Sequence, residues 1–164
     1  MKYVVDSNIF IESKNKFYSF DICPGFWDSL LYLHNKNVIA SVSSVKEELC
    51  GHKDDLSIWI KNVLDPSFFI EEDQDTIKKY ETIINWAKKN FTEGKLHDFL
   101  RGADGWVIAY AICIKGTVVT FEKPKINKKQ FEDWTNNKIP QKLNIKISIP
   151  DICKYFDVKC IDLY

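Results

Sequence analysis

The sequence predicts an α/β fold with a central parallel sheet and helices on both faces, and three observations carry that prediction. Short β-branched and aromatic runs recur along the chain, and stretches of helical periodicity separate them. Strands that alternate with helices in this way lie parallel, with the helices packed on the sheet. Four acids, Asp6, Glu48, Asp104 and Glu122, stand at the ends of apolar segments, so such a sheet gathers them at its carboxyl edge, where open α/β folds place their ligands.

Tyr3 to Val5 forms the first strand and ends in Asp6-Ser7-Asn8, after which Ile9, Phe10 and Ile11 lead into a helix. Pro24 marks the start of the next helix, in which Phe26, Trp27, Leu30, Leu31 and Leu33 repeat at helical spacing to about Lys36. Val38 to Ala40 is the second strand. Ser44 and Glu47 have the spacing of a capping box for the following helix, which carries Glu48 three residues after Val45. An amphipathic stretch from Asp55 to Leu64, a strand at Phe68 to Ile70 and a long helix from about Asp73 to Asn90 come next. Asp104 to Ile114 reads as a buried helix and Thr117 to Phe121 as a strand. Ile145 to Ile149 is expected to be a further strand, Pro150 to Phe156 a short helix, and Val158 to Ile161 a last extended piece. The order begins β-α-α-β-α.

Residues 123–146 break the alternation. They hold seven lysines, at 123, 125, 128, 129, 138, 142 and 146, against Glu132 and Asp133, and read as a basic insertion in one domain spanning residues 1–164. A lysine-rich stretch is ordinarily a solvated surface. Its functional reading is a flap in which Lys123, Lys125, Lys128 and Lys129 gather nucleic-acid phosphates beside Glu122, with Phe131 and Trp134 offered for base stacking.

Composition narrows the class. At 164 residues and 45% hydrophobic, the chain is able to bury about 70% of its unfolded surface around one core. Lys plus Arg and Asp plus Glu both number 23, so no global basic excess announces a nucleic-acid binder. Arg101 is the single arginine; phosphate contacts would fall to lysine point charges, which favour sequence-blind binding. Five cysteines without a Cys-x-x-Cys pair argue against a disulfide framework and a thiolate zinc site, and point to a reducing cytoplasm. The charged start and the short apolar run from Trp106 to Ile114 argue against a signal peptide and a membrane span.

Carboxylate oxygens select Mg²⁺ or Mn²⁺. Two carboxylates about 4 Å apart repel by roughly 4 kcal/mol at an effective dielectric of 20, equivalent to about three pKa units, and a cation removes that conflict. Each acid also has a structural reading: Asp6 as a helix cap, Asp104 as a cap for Val107. Asn8 fits the turn after the strand, and Thr120 is a β-branched strand residue. His34, His52 and His97 are scattered, and His52 reads as a loop residue rather than a partner of Cys50 on a soft metal.

Val4-Val5-Asp6-Ser7-Asn8, Val45-x-x-Glu48-Leu49, Ala103-Asp104-Gly105-Trp106-Val107-Ile108-Ala109 and Val119-Thr120-Phe121-Glu122 resemble, in order and spacing, the motifs of PIN-domain nucleases. More narrowly, Cys23-Pro24-Gly25-Phe26-Trp27 and Ile149-Pro150-Asp151-Ile152-Cys153 resemble a bacterial PIN-like family first catalogued as a domain of unknown function, and the resemblance implies a VapC-type, toxin-like ribonuclease. The resemblance implies a three-layer α/β/α fold and a Mg²⁺- or Mn²⁺-dependent endoribonuclease, the toxin of a toxin–antitoxin pair. It makes Asp6, Glu48, Asp104 and Glu122 the direct or water-bridged metal ligands, with Asn8 and Thr120 in support. The fourth acid is commonly Asp in PIN domains and is Glu122 here. RNA is the implied substrate, a cognate antitoxin protein the implied partner, and a homodimer a compatible assembly. One or two ions would activate water and steady the leaving oxygen. Two other readings compete: a degenerate PIN-like module that binds RNA or protein without cutting, and a phosphoaspartate enzyme, which wants a second acid where Asn8 stands.

Overall fold

The structure, a computed structural model, describes residues 2–136 and 141–163; Lys138 of the basic segment lies outside the described residues. In chain order the elements are β1 (Tyr3–Val5), α1 (Ser7–Glu12) running on into a π turn (Ser13–Phe17), α2 (Pro24–Asn35), β2 (Ile39–Val42), α3 (Ser43–Cys50), α4 (Asp55–Asn62) and, after a 3₁₀ turn (Pro66–Phe68), β3 (Phe69–Ile70). There follow α5 (Gln74–Asn90), α6 (Glu93–Leu100), α7 (Asp104–Ile114), β4 (Thr117–Val119), α8 (Lys128–Thr135), α9 (Ile149–Tyr155) and β5 (Lys159–Ile161).

The five strands form one all-parallel sheet in the order β3-β2-β1-β4-β5. Tyr3 pairs with Ile39 on one side and Thr117 on the other, and Val118 pairs with Cys160. β2 and β4 are buried at every residue, as expected where helices cover both faces of a parallel sheet. The chain builds outward from β1 to β2 and β3, then returns to lay β4 and β5 on the other side. The order therefore reverses between β1 and β4, which makes that point the ligand-binding crevice of an open α/β sheet.

The core is aliphatic and aromatic throughout: Val4, Phe10, Val45, Phe68, Ile83, Val107, Ile108 and Val118 are among its fully buried members. α7 is apolar all round, as a helix packed on several sides must be, and it lies against α5, β1, β2 and β4. Gly105 permits that approach, since a Cβ there would stand 2.7 Å from the Tyr80 ring. Beside it Tyr80 and Trp106 stack at 3.7 Å between ring centroids. Because α7 leads into β4, its N-terminus points to the carboxyl edge of the sheet. Among the described residues no helix is long and apolar enough to cross a membrane.

Three local expectations are corrected. Ile145 to Ile149 is not a strand: Ile149 opens α9, and β5 already pairs with the edge of β4 that such a strand would need. Its alternating isoleucines instead bury Ile147 in irregular chain and Ile149 at the start of α9. The Ser44/Glu47 capping box does not form, because α3 starts at Ser43, two residues ahead of the Val45 start that a Ser44 cap requires, and is capped from a distance. Glu72 accepts the Ser43 hydroxyl at 2.6 Å and the Ser44 N–H at 3.3 Å, leaving the buried Ser44 hydroxyl without a partner. Helices α6 and α8 have no counterpart in the sequence expectation. α8 forms inside the basic segment on a capping box between Asn127 and Gln130.

Candidate active site

Asp6 follows β1 and is 2% exposed. Its Oδ1 accepts the Ser7 N–H at 2.7 Å and its Oδ2 accepts the Thr120 hydroxyl at 2.8 Å. Thr120 lies just past β4, across the point where the strand order reverses. Its Oγ1 also accepts from Asn8 Nδ2 at 2.9 Å and from the Glu122 N–H at 3.1 Å, which uses the hydroxyl's full capacity of one donor and two acceptor pairs. Asn8 completes the clasp by accepting the Phe121 N–H at 2.9 Å. Asn8 and Thr120 thus lock the end of β1 to the end of β4 and fix one oxygen of Asp6.

Asp104 is the first residue of α7, and the helix N-cap is Ala103 with no side-chain cap. The carboxylate is therefore not spent on capping Val107. Burial, the charge of Asp6 and the charge of Glu122 raise the Asp104 pKa to about 8, with Lys146 opposing and Glu48 adding to the rise. Asp6 is raised to about 7, first by burial and then, against the relief given by Thr120, by the charges of Glu122 and Glu48. Asp6, Asp104, Glu122 and Glu48 share one electrostatic neighbourhood. Glu48 is at its exposed margin on α3, and neighbouring Glu47 contributes to neither pKa.

Glu122 is bound on both oxygens: Oε1 pairs with the Lys146 ammonium, and Oε2 accepts the Ile149 N–H at 2.9 Å at the start of α9. Lys146 gained no role from the sequence beyond its share of the basic segment. Asp151 was likewise missed. It is buried and accepts the Ser148 hydroxyl and the N–H groups of Lys125 and Ile126, so it ties the start of the basic segment to α9. The spacing Ser148-x-x-Asp151 ahead of Ile152 is a capping signal that points to it.

A hard divalent cation fits these donors in kind, since the cluster offers only carboxylate oxygens and holds two acids well above their ordinary range for want of positive charge. As they stand, no three His, Cys, Asp or Glu side chains among the described residues converge closely enough to chelate an ion. Glu122 is engaged elsewhere, and Glu48 lies at the margin. A cleft of about 370 Å³ opens on the far side of Glu122, lined by Thr120, Lys123, Pro150 and Lys154 among others. A recess of about 90 Å³ lies between Asp104, Lys146 and Phe99.

The expected RNA-facing residues divide. Lys125, Lys128 and Lys129 are exposed, and Lys123 is exposed but paired with Asp162 at 2.6 Å. Trp134 is not available for stacking on a base. It is 4% exposed, donates to Asn90 at 2.7 Å and packs against Trp86, Phe91 and Tyr155. Helix α8 turns it inward. Phe131 is half-buried under the Lys154 ammonium, 3.9 Å from its ring centroid.

Comparison with known proteins agrees with this architecture. No curated protein matches the sequence. Among solved structures, the chain is similar to VapBC2 from Rickettsia felis, crystallised with a DNA fragment from their promoter, at 15% identity over 100% of each chain and a TM-score of 0.50. At that identity the likeness speaks for the fold. Residues 3–164 match the model of a family described as a domain of unknown function, DUF4411. The chain belongs to the DUF4411 family and carries it on a three-layer, PIN-like α/β fold.

Proposed function

We propose that this protein is a Mg²⁺- or Mn²⁺-dependent endoribonuclease acting as the toxin of a toxin–antitoxin pair. One observation carries the reading: Asp6 and Asp104, brought from distant parts of the chain, are held together at the strand-order reversal with pKa values of about 7 and 8. Functional sites are where such perturbed pairs cluster, and the Asp104 carboxylate is not spent on capping its own helix. Asp6, Asp104 and Glu48 would hold the cation, with Glu122 one step removed. A divalent ion bound there supplies Lewis-acid activation of water and phosphate. Thr120 aims Asp6, and Asn8 holds Thr120 in place. The lysines at 125, 128 and 129 offer phosphates a sequence-blind surface, and the cleft beside Glu122 gives the strand a path.

Likeness in fold to VapBC2 supports the partnered arrangement, in which a cognate antitoxin protein restrains the enzyme; a homodimer is compatible with it. The basic segment 123–146 is treated as an elaboration of a single PIN-like domain. The engagement of Glu122 by Lys146 favours the second reading, a module that binds RNA without cutting, and titrating cleavage with Mn²⁺ separates the two.

The reading is tested with purified protein, a structured RNA and Mn²⁺. Cleavage is expected, with loss on adding EDTA and a fall of at least about a hundredfold in Asp6→Asn and Asp104→Asn, each of which removes charge from a hard-cation ligand. Undiminished cutting by both variants would overturn it. Replacing Lys125, Lys128 and Lys129 together by Gln should weaken RNA binding and flatten its salt dependence, because phosphate contacts act through counterion release. An unchanged salt slope would leave those lysines as a solvated surface.

A further inference from the structure

We infer that Lys146 is a built-in cation of the carboxylate cluster, and that its hold on Glu122 restricts this site to a single divalent ion. The inference rests on the metal-dependent reading above and deepens it. Four acids share this edge of the sheet and act on one another electrostatically, enough in number for the paired-ion sites that several nuclease classes use. Here both oxygens of the fourth acid are already engaged. The Lys146 ammonium sits on Oε1 and the Ile149 N–H on Oε2, while the Glu122 side chain is only 13% exposed and so has little water to fall back on.

Lys146 is placed for this by its surroundings rather than by chance contact. Ile147 beside it is buried, and Ser148 and Ile149 are fixed by Asp151 and Glu122. The backbone that carries the lysine is therefore anchored, while its own side chain stays 61% exposed. The ammonium also borders the recess that holds Asp104, and its charge acts on both Asp104 and Asp6. A second divalent ion at Glu122 would have to displace that fixed positive charge. Lys146 is thus a positioning residue that sets ion number through Glu122.

Binding of Mn²⁺ alone, followed by electron paramagnetic resonance and calorimetry, tests this without reference to activity. Wild type and Lys146→Arg are expected to bind a single ion per chain. Lys146→Ala, which frees Glu122 and removes a unit charge from the cluster, is expected to bind a second ion. The Lys146 side chain is exposed, so Lys146→Ala is expected to keep the fold, which matching melting curves check. Equal stoichiometry in wild type and Lys146→Ala overturns the inference while leaving the metal site standing. Absence of Mn²⁺ binding in all three proteins overturns the inference and the metal-dependent reading together.

Discussion

Thr120 is a β-branched residue in a strand by any sequence rule, yet in the fold its hydroxyl serves three partners, Asp6, Asn8 and Glu122. Thr120→Val keeps the shape and removes all three bonds, leaving buried donors and a carboxylate oxygen unpaired at a cost of about 1–3 kcal/mol each where no water replaces them. The Thr120 bond is also the largest influence lowering the Asp6 pKa. Its loss should push Asp6 higher, moving the rising limb of a cleavage pH profile toward alkaline pH, while Thr120→Ser retains the wild-type profile. A Val variant with the wild-type profile would show that Thr120 does not set the state of Asp6. The placement of Asp6 and Asp104 at the sheet edge was legible in the sequence because one follows an apolar strand and the other opens an apolar helix. The role of Lys146 was not, since one lysine among seven is singled out only by what its ammonium touches.

At the scale of elements, local signals located helices well and misplaced the forces that fix their ends. The strand at Tyr3–Val5, the helix at Asp104–Ile114 and the Pro24 helix start stand where hydrophobic period and proline put them. The start of α3 does not, because Glu72, 28 residues from Ser44, supplies the cap in place of Glu47. A non-local partner of this kind leaves no trace in spacing. The same competition misled the reading of Ile145–Ile149, where period-2 alternation reported burial correctly but β5 held the sheet edge. The shift also changes the reasoning about the two adjacent acids on α3. Glu47 is exposed and has no capping duty, whereas the charge of Glu48 reaches both Asp6 and Asp104. Glu48→Gln should therefore cut RNA cleavage by at least about tenfold with no change in melting temperature, as removal of a charged ligand predicts. Glu47→Gln should leave both alone. The reverse order of activities would place Glu47 in the site and turn α3 by about 100° from the register described.

Over the whole molecule, the carboxylate cluster makes stability depend on pH in a direction opposite to that of its helix caps. Asp54 and Asp73 accept backbone N–H groups at helix starts and lie below their ordinary range for that reason. What they contribute is present above about pH 4 and lost below it. Asp6 and Asp104 work the other way: folding raises them from 3.8 to about 7 and about 8, so between those limits the folded state binds more protons than the unfolded one. Their favourable share is complete below the unfolded value and disappears as pH climbs through the folded values. Stability should accordingly peak near pH 5 and fall toward pH 8.5. Asp104→Asn removes one buried charge together with its repulsion of Asp6. It should match wild type at pH 5 and melt roughly 5–10 °C higher at pH 8.5, given how free energy converts to melting temperature in a chain of this size. Millimolar Mn²⁺ should close most of that gap by stabilising wild type alone, since ligand binding adds to stability only where the ligands remain. Melting curves of the two proteins recorded from pH 5 to 8.5, with and without Mn²⁺, decide the matter. If the curves stay parallel across that range, Asp6 and Asp104 do not titrate against each other, and the electrostatic strain that identifies this edge of the sheet as the site is absent.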